Sequence, residues 1–192
     1  GRAKKTNAKV PKPVLVPHEN LAVAMAHGAY LMSGRPQAVM VHTSVGTANT
    51  INNLANLSRD RVPLILAAGR TPLTEKGAFG TRSRPIQWGQ EMFDQAGMVR
   101  ELVKWDYELR VPAQVGDMVA RGVEVAMAHP RGPVYMMLPR EPLSAPLEAH
   151  LVTNSVGVDV ANRYGLAGFE RQLHPILVGA TNLGGYVDFI AA

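Results

Sequence analysis

The sequence predicts an α/β protein with a parallel sheet and helices on both faces, followed by the start of a second domain. Two observations support this prediction. Short apolar runs alternate with helix-like segments in the order strand, helix, strand, helix, strand over residues 14–67. Of the 192 residues, 46% are hydrophobic and 18% are charged, a composition that allows one substantial buried core.

The first predicted strand and helix enclose an acidic residue. Residues 14–16 are predicted to form a short strand, and residues 19–33 a helix. Because this helix is apolar on nearly every face, we expect it to be buried. Gly34 stands where a helix C-cap belongs, and the Arg-Pro pair that follows prevents continuation.

Two further strands and one helix complete the predicted parallel unit. Residues 38–41 and 62–67 are apolar runs of strand length. Between them, the turn 42–46 leads into a helix predicted over 47–58, and its hydroxyl side chains are available to cap the first amides.

The second half of the domain begins with a long polar stretch. Residues 71–89 contain glycine and proline without periodicity, which predicts an extended loop of the kind that lines binding sites. A short helix over 90–98 and a strand over 99–105 are expected next. Helical apolar spacing predicts a helix over 112–128, and the apolar run 133–139 predicts a buried strand that ends the domain.

Three junctions are predicted to meet at one edge of the sheet. His18-Glu19 follows the first strand, the turn 42–46 follows the second, and Gly69-Arg70 follows the third. Ligands of parallel sheets bind at the carboxyl ends of the strands. We therefore expect a shared pocket at this edge.

Glu19 is the residue with the clearest chemistry at this edge. Burial raises the pKa of a carboxyl group and a helix N-terminus lowers it. A carboxylate at such a junction can therefore be tuned to share a proton with a nitrogen base of a bound heterocycle. The alternative interpretation is that Glu19 only caps the helix from its first turn.

The net charge of +5 is located in an N-terminal arm. Residues 1–12 contain no acid and hold the basic residues that make up the excess. The arm is predicted to be a linker and not a nucleic-acid tail, because no nucleic-acid-binding motif accompanies it. No apolar run reaches the roughly 20 residues of a membrane span and no signal-peptide pattern is present, which predicts a cytoplasmic protein without a membrane partner.

Several reactive groups are excluded or assigned ordinary roles. The absence of cysteine excludes disulfides, thiolate metal sites and a thiol nucleophile. His27 and His42 lack neighbours at metal-ligand spacing, so we expect them to be structural or pocket-lining. Met118 and Met127 are predicted to lie in the helix core.

Six short blocks share their order and spacing with a known enzyme family. They are VLVPHE at 14–19, AHGAY at 26–30 with SGRP at 33–36, TSVGTAN at 43–49, VPL at 62–64, VKWDY at 103–107 and RGPVY at 131–135. Together they resemble the pyrimidine-binding domain of thiamine diphosphate-dependent enzymes of the acetolactate synthase and benzoylformate decarboxylase type. The turn at 44–46 departs from the family, which usually has a Ser-Gly-Pro-Gly-like turn there.

The resemblance implies that Glu19 activates a cofactor. In the family, the matching glutamate hydrogen-bonds ring nitrogen N1′ of the aminopyrimidine of thiamine diphosphate and favours its imino tautomer. The activated cofactor then attacks the carbonyl of a 2-keto acid, and decarboxylation or carboligation follows. The residues expected to bind the cofactor are Glu19, Thr43, Ser44, Val45, Gly46 and Asn49, and the expected substrate-pocket residues are His18, Gln87 and Gln90.

The resemblance also implies a domain order. We expect a basic arm over 1–12, the pyrimidine-binding domain over 13–142, a linker over 143–172 and the beginning of a central domain over 173–192. The family's Gly-Asp-Gly motif, which with a later asparagine holds Mg²⁺ and the diphosphate, does not occur in the sequence. The chain is therefore expected to be incomplete at both ends and to hold no metal itself.

The implied partners follow from the same resemblance. The pyrimidine-binding domain meets the diphosphate-binding domain of a neighbouring subunit in the family, so a homodimer or homotetramer with its active site at the interface is expected. A small 2-keto acid is the expected substrate, and FAD is a further cofactor that the resemblance leaves undetermined. The alternative function is a non-catalytic α/β binding or assembly module on the same scaffold. A Rossmann domain is disfavoured because no Gly-x-Gly-x-x-Gly follows a strand.

Overall fold

A parallel sheet of four strands forms the centre of the domain. The computed structural model describes residues 13–145, which contain β1 (Gln37–Val41), β2 (Leu64–Arg70), β3 (Asp106–Glu108) and β4 (Val134–Pro139). The strand order is β1-β2-β4-β3, and every neighbouring pair is parallel. The predicted fold class, a parallel sheet covered by helices, is confirmed.

Helices of very different length connect the strands. They are α1 (Glu19–Ser33), α2 (Thr43–Arg59), α3 (Ile86–Gly89), α4 (Val115–Met127) and α5 (Arg140–Ser144). Short 3₁₀ turns occur at Ala96–Met98, Arg100–Leu102 and Pro112–Gln114. The predicted bounds of α1 are confirmed, and Gly34 adopts the left-handed C-cap conformation with φ of 67°.

The two faces of the sheet are covered by different helices. Along β2, Leu64 and Leu66 point into a core shared with α1 and α2, whereas Ile65 and Ala67 point into a core shared with α4. Successive side chains of a strand point to opposite faces, so a strand buried on both sides has a continuous apolar sequence. Met118 and Met127 lie in the α4 core, as predicted.

Residues 14–16 do not form the predicted strand. Val14 and Leu15 are both more than 60% exposed, and the four-stranded sheet of the described chain has no strand beyond β1. A strand needs a neighbour to hydrogen-bond with, and this segment has none there. The predicted strand at 14–16 is therefore wrong.

The predicted turn 42–46 is the first turn of α2. The Gly46 N–H donates to the His42 carbonyl at 2.9 Å, which closes a helical turn four residues earlier than the predicted start. Nor do hydroxyls cap this helix. His42 occupies the N-cap, but its side chain makes no capping hydrogen bond to the helix. The hydroxyl of Thr47 donates back to the Thr43 carbonyl.

The segment before β3 also differs from the prediction. Only the three residues Ala96–Met98 of the predicted helix 90–98 are helical, as a 3₁₀ turn. The predicted strand 99–105 is replaced by a 3₁₀ turn, and β3 begins at Asp106. Arg100 joins the two ends of this segment, because it binds both Asp94 at 2.7 Å and Asp106 at 3.2 Å.

Helix α1 is not buried on all faces, contrary to expectation. Val23 and Ala26 are its buried residues, whereas Leu21, Met25 and Met32 are exposed, Met32 to 89%. The helix packs against α2 and β1 along one side. Its outer side meets nothing within the described chain, and the apolar composition of that side is left without a partner.

The predicted loop 71–89 is confirmed up to residue 85, whereas its last four residues form α3, and a charged group fixes the loop. Glu141 of α5 accepts hydrogen bonds from the backbone N–H groups of Leu73 and Thr74 at 3.0 and 2.7 Å. Burial raises the pKa of Glu141, but these bonds outweigh it and hold the pKa below its usual value. The loop is thus tied to the end of the domain.

The predicted domain boundaries remain a prediction. Helix α5 packs against the loop through buried Pro142 and Ser144, so the compact region reaches slightly past residue 142. The predicted arm 1–12 and the predicted central-domain start at 173–192 lie outside the described residues, as does nearly all of the predicted linker.

Two helical glycines predict opposite effects on stability. A β-carbon on Gly46 would lie 3.0 Å from Cβ of Val41, whereas one on Gly28 would meet nothing within 4 Å. Gly46→Ala should therefore lower the free energy of unfolding by about 1–3 kcal/mol through overpacking. Gly28→Ala should raise it by about 0.5–1 kcal/mol through helix propensity. Urea unfolding of both variants tests this, and stabilisation by Gly46→Ala would contradict the packing described.

Candidate active site

Glu19 begins α1 and is aimed by the residue before it. His18 is the N-cap residue, with extended backbone (φ −150°, ψ 137°), and its Nδ1 accepts a hydrogen bond from the Asn20 N–H at 3.1 Å. Capping fixes the direction in which a helix starts. The capping role therefore belongs to His18, and the Glu19 carboxylate is available for other contacts.

The Glu19 carboxylate is held by helix α2. The side-chain amide of Asn49 donates to Oε2 of Glu19 at 3.0 Å. One turn further along α2, the backbone N–H of Asn53 donates to Oδ1 of Asn20 at 3.1 Å, and its side-chain amide donates to the Asn20 carbonyl at 3.0 Å. Because residues four apart share one face of a helix, these bonds clamp the start of α1 onto a single face of α2.

This environment stabilises the ionised form of Glu19. The hydrogen bond from Asn49 lowers its pKa most, followed by a bond from the residue's own backbone amide, while partial burial opposes them. His18 and His42 lower it slightly further. Across residues 13–145 no lysine or arginine pairs with this carboxylate. It is an anion held by a neutral amide.

The predicted cofactor residues on α2 divide into an outer and an inner group. Val45 is 60% exposed and lies four residues before Asn49, so both occupy the helix face that meets Glu19. Thr43, Ser44 and Gly46 are buried. Glu19, Asn49 and Val45 therefore form the accessible part of the candidate site.

His42 lies next to this site. Although its side chain keeps an exposed face, the packed surroundings lower its pKa, and the nearby charge of Glu19 opposes that shift. The imidazole of His42 and the carboxylate of Glu19 therefore influence each other's pKa.

The two predicted substrate-pocket glutamines occupy different settings. The side-chain oxygen of Gln87 accepts hydrogen bonds from the backbone N–H groups of Ser83 and Arg84 at 2.6 and 3.1 Å, so it stabilises its own loop. The carbonyl of Gln90 accepts from the hydroxyl of Ser44 at 3.4 Å, which brings Gln90 beside the first turn of α2. A substrate role for Gln87, Gln90 or His18 remains a prediction.

Glu91 belongs to a separate group of charges. Arg82 pairs with Glu91, Arg70 pairs with Glu108, and Arg70 also lies 3.6 Å from Glu91. The Thr71 hydroxyl donates to Glu91 at 2.8 Å. These contacts fasten the loop to the carboxyl ends of β2 and β3, and they explain why Glu91 is not available as Glu19 is.

Two sets of hydrogen bonds near the site were not predicted from the sequence. Asn20 and Asn53 were not predicted to contact each other, although the four-residue spacing of Asn49 and Asn53 was a visible signal. A buried group formed by Thr47, Gln95 and Tyr135 was also missed. The tyrosine in the apolar strand β4 was the available clue, since a buried hydroxyl needs a hydrogen-bond partner.

No group of three or more metal-ligating side chains occurs among residues 13–145. His27 instead lies 3.2 Å from Asp60. None of the helices in that range is both long and apolar enough to span a bilayer.

Comparison with known families identifies the class of this domain. Residues 4–98 match the family described as the thiamine pyrophosphate enzyme N-terminal TPP-binding domain. The resemblance noted in the sequence is confirmed, and the chain belongs to the thiamine diphosphate-dependent enzymes through this domain.

Individual relatives agree with this assignment. The chain is 30% identical to the benzoylformate decarboxylase of Pseudomonas aeruginosa over 176 residues, which cover 88% of this chain and 32% of that protein. It is 28% identical to the mitochondrial acetolactate synthase catalytic subunit of Saccharomyces cerevisiae over 142 residues, 74% of this chain and 19% of that protein.

A solved structure supports the fold assignment. The X-ray structure of a candidate thiamin diphosphate-dependent enzyme from Mycobacterium smegmatis matches 64% of this chain and 22% of its own, with a TM-score of 0.55 and 31% identity. The chain thus spans about a third or less of the length of the relatives it matches.

The Glu19–Asn49 contact predicts a measurable shift in acidity. Asn49→Ala removes the largest cause of the lowered pKa, so the pKa of Glu19 should rise towards its usual value. In the parent protein the ionised Glu19 contributes stability above its unfolded pKa, and this contribution is lost as the pH falls through the lower folded pKa. The difference in unfolding free energy between parent and variant should therefore shrink in acid.

A carboxyl ¹³C NMR titration measures this pKa directly. Asn56→Ala is the matched control, because its amide donates to Asn53 and not to Glu19. An unchanged Glu19 pKa in Asn49→Ala would show that the amide does not stabilise the carboxylate.

Proposed function

We propose that this chain is the pyrimidine-binding half of a thiamine diphosphate-dependent decarboxylase or carboligase that acts on 2-keto acids. The proposal goes beyond family membership in two respects: it assigns Glu19 as the activating carboxylate and a 2-keto acid as the substrate. Family membership and the decarboxylase and synthase relatives support it.

The observation that carries the proposal is the state of the Glu19 carboxylate. Asn49 binds one of its oxygens, and among residues 13–145 its pKa is lowered without a lysine or arginine partner. The amide of Asn49 contacts Oε2 of this carboxylate at 3.0 Å. A pyrimidine ring nitrogen that carries a proton is a donor suited to such an anion, so the residues present fit the cofactor.

Each residue of the site has a part in this proposal. When bound, thiamine diphosphate supplies the electron sink for breaking or forming the bond beside the substrate carbonyl. Glu19 holds a proton at ring nitrogen N1′, Asn49 keeps the carboxylate in place, and Val45 offers an apolar surface to the ring. Thr43, Ser44 and Gly46 contribute backbone at the first turn of α2. Mg²⁺ and the diphosphate are assigned to a diphosphate-binding domain.

The exposed apolar side of α1 is an argument for a second subunit as the partner. Leu21, Met25 and Met32 are exposed along one side of α1, and Glu19 begins the same helix. An apolar stripe of this kind on a monomer marks a protein interface. We propose that a second subunit covers it and completes the site, in a homodimer or homotetramer.

The second candidate function is a non-catalytic module on the same scaffold. The specific observation in its favour is the exposed apolar stripe of Leu21, Met25 and Met32, which offers a binding surface that needs no cofactor. Such a module would bind partners through the α1 stripe without turnover.

Cofactor binding and turnover discriminate between the two functions. The protein, assembled with its diphosphate-binding domain, should bind thiamine diphosphate in the presence of Mg²⁺ in a calorimetric titration. It should then release carbon dioxide from pyruvate or benzoylformate assayed in parallel. Oligomerisation without cofactor binding would instead favour the module.

The role of Glu19 predicts a separation of binding from turnover. Glu19→Gln keeps the shape of the side chain but removes the anion, so the Kd for thiamine diphosphate should stay within about tenfold while kcat falls by about 100-fold or more. Calorimetry and steady-state kinetics give the two values. Glu101→Gln, at an exposed glutamate, is the control and should change neither. Full turnover in Glu19→Gln would end the assignment.

The proposed interface predicts a change in mass. Met25→Lys places a charge in the apolar stripe of α1 and should convert the oligomer to monomers, measured by sedimentation equilibrium. Val111→Lys introduces the same charge at an exposed apolar residue outside α1 and should leave the mass unchanged. Dissociation by both variants or by neither would argue against this interface.

A further inference from the structure

A buried chain of polar groups connects the sheet to the first turn of α2. The amide nitrogen of Gln95 lies 2.8 Å from the hydroxyl of Tyr135, which lies 2.8 Å from the hydroxyl of Thr47. Thr47 in turn donates to the Thr43 carbonyl at 2.8 Å. Gln95, Tyr135 and Thr47 are at most 1% exposed, so water does not compete for these bonds.

The number of available protons fixes which group donates in each of these hydrogen bonds. The only proton of the Thr47 hydroxyl is used at the Thr43 carbonyl, so Tyr135 must donate to Thr47. Tyr135 then accepts from Gln95, whose amide also donates to the Gly69 carbonyl at 3.0 Å. Burial raises the pKa of Tyr135, although Thr47 and Gln95 oppose the shift, so the phenol keeps the proton that it donates to Thr47.

Both ends of this hydrogen-bond chain lie near Thr43. One end bonds the Thr43 carbonyl, and the other bonds the carbonyl of Gly69, a residue at which an added β-carbon would lie 3.7 Å from Cγ2 of Thr43. Thr43 has a φ of 42°, a backbone conformation that a β-branched residue rarely adopts. Residues in such conformations persist only where the surroundings enforce them, and they concentrate at functional sites.

We propose that Tyr135, Gln95 and Thr47 are positioning residues that hold the strained first turn of α2 in the geometry that presents Val45 and Asn49 to Glu19. The assignment rests on the proposed function of the Glu19 site. None of the three touches Glu19, and they act through Thr43. Catalytic groups displaced by about 1 Å can lose about 100-fold in rate, so a device that sets this turn also sets cofactor binding and turnover.

The local consequence can be tested without cofactor. Tyr135→Phe keeps the buried ring but removes the hydroxyl that links Gln95 to Thr47. Backbone amides of residues 43–47 should then exchange hydrogen at least tenfold faster, measured by exchange mass spectrometry or NMR. Thr50→Val is the matched control, because it removes an equally buried hydroxyl of α2 that donates to the main-chain carbonyl of Thr47 and is not bonded to the Thr47 hydroxyl, Tyr135 or Gln95.

The functional consequence is measured on the holoprotein with thiamine diphosphate and Mg²⁺. Tyr135→Phe and Thr47→Val should each raise the Kd for the cofactor and lower kcat. For each variant, the increase in Kd multiplied by the decrease in kcat should be about tenfold or more. The double variant should be little worse than either single variant, because both break the same chain. Thr50→Val should match the parent protein in both values.

The outcomes separate this proposal from the proposed function. Unchanged exchange at residues 43–47 in Tyr135→Phe overturns the positioning role whatever the cofactor does. Faster exchange with parental Kd and kcat also overturns it, because the three residues would then serve stability alone. A parent protein that binds no cofactor overturns the proposed function and with it the link to Glu19. The hydrogen-exchange result still decides whether Tyr135, Gln95 and Thr47 hold the first turn of α2.

Discussion

The hydrogen bond between Asn49 and Glu19 is the contact on which the candidate site depends. It joins the start of α1 to α2 and fixes one oxygen of an anion that has no lysine or arginine partner in the described domain. Asn20 and Asn53 repeat the attachment one turn along. Because the two helices pack on the same face of the sheet, small errors in their relative position would appear directly at the carboxylate.

Other acidic residues of the domain show why this carboxylate is unusual. Glu91 and Glu108 are paired with Arg82 and Arg70, and these pairs fasten a loop. A neutral amide leaves the charge of Glu19 available to a ligand, whereas a guanidinium neutralises it. Glutamate thus has a structural role at positions 91 and 108, whereas the glutamate at position 19 is left available for chemistry.

The sequence predicted the regular core well and the irregular segments poorly. Apolar runs located β1, β2 and β4, and helical spacing located α1 and α4, because burial imposes those periods directly. The missed strand at 14–16 and the misplaced segment at 90–105 depend on pairing and on the contacts of Arg100, which no local pattern encodes. The early start of α2 depends on Thr43, whose backbone conformation its sequence disfavours.

The sequence by itself determined the fold class, the family and the location of Glu19 at the start of a helix, because apolar periodicity and motif order are local properties of the chain. Tertiary structure alone decided which residues meet. It brought Asn49 to Glu19, turned Thr43, Ser44 and Gly46 inwards, and linked Tyr135 of β4 to Thr47 of α2. Contacts between residues 30 to 88 positions apart arise from packing, which the order of residues along the chain does not display.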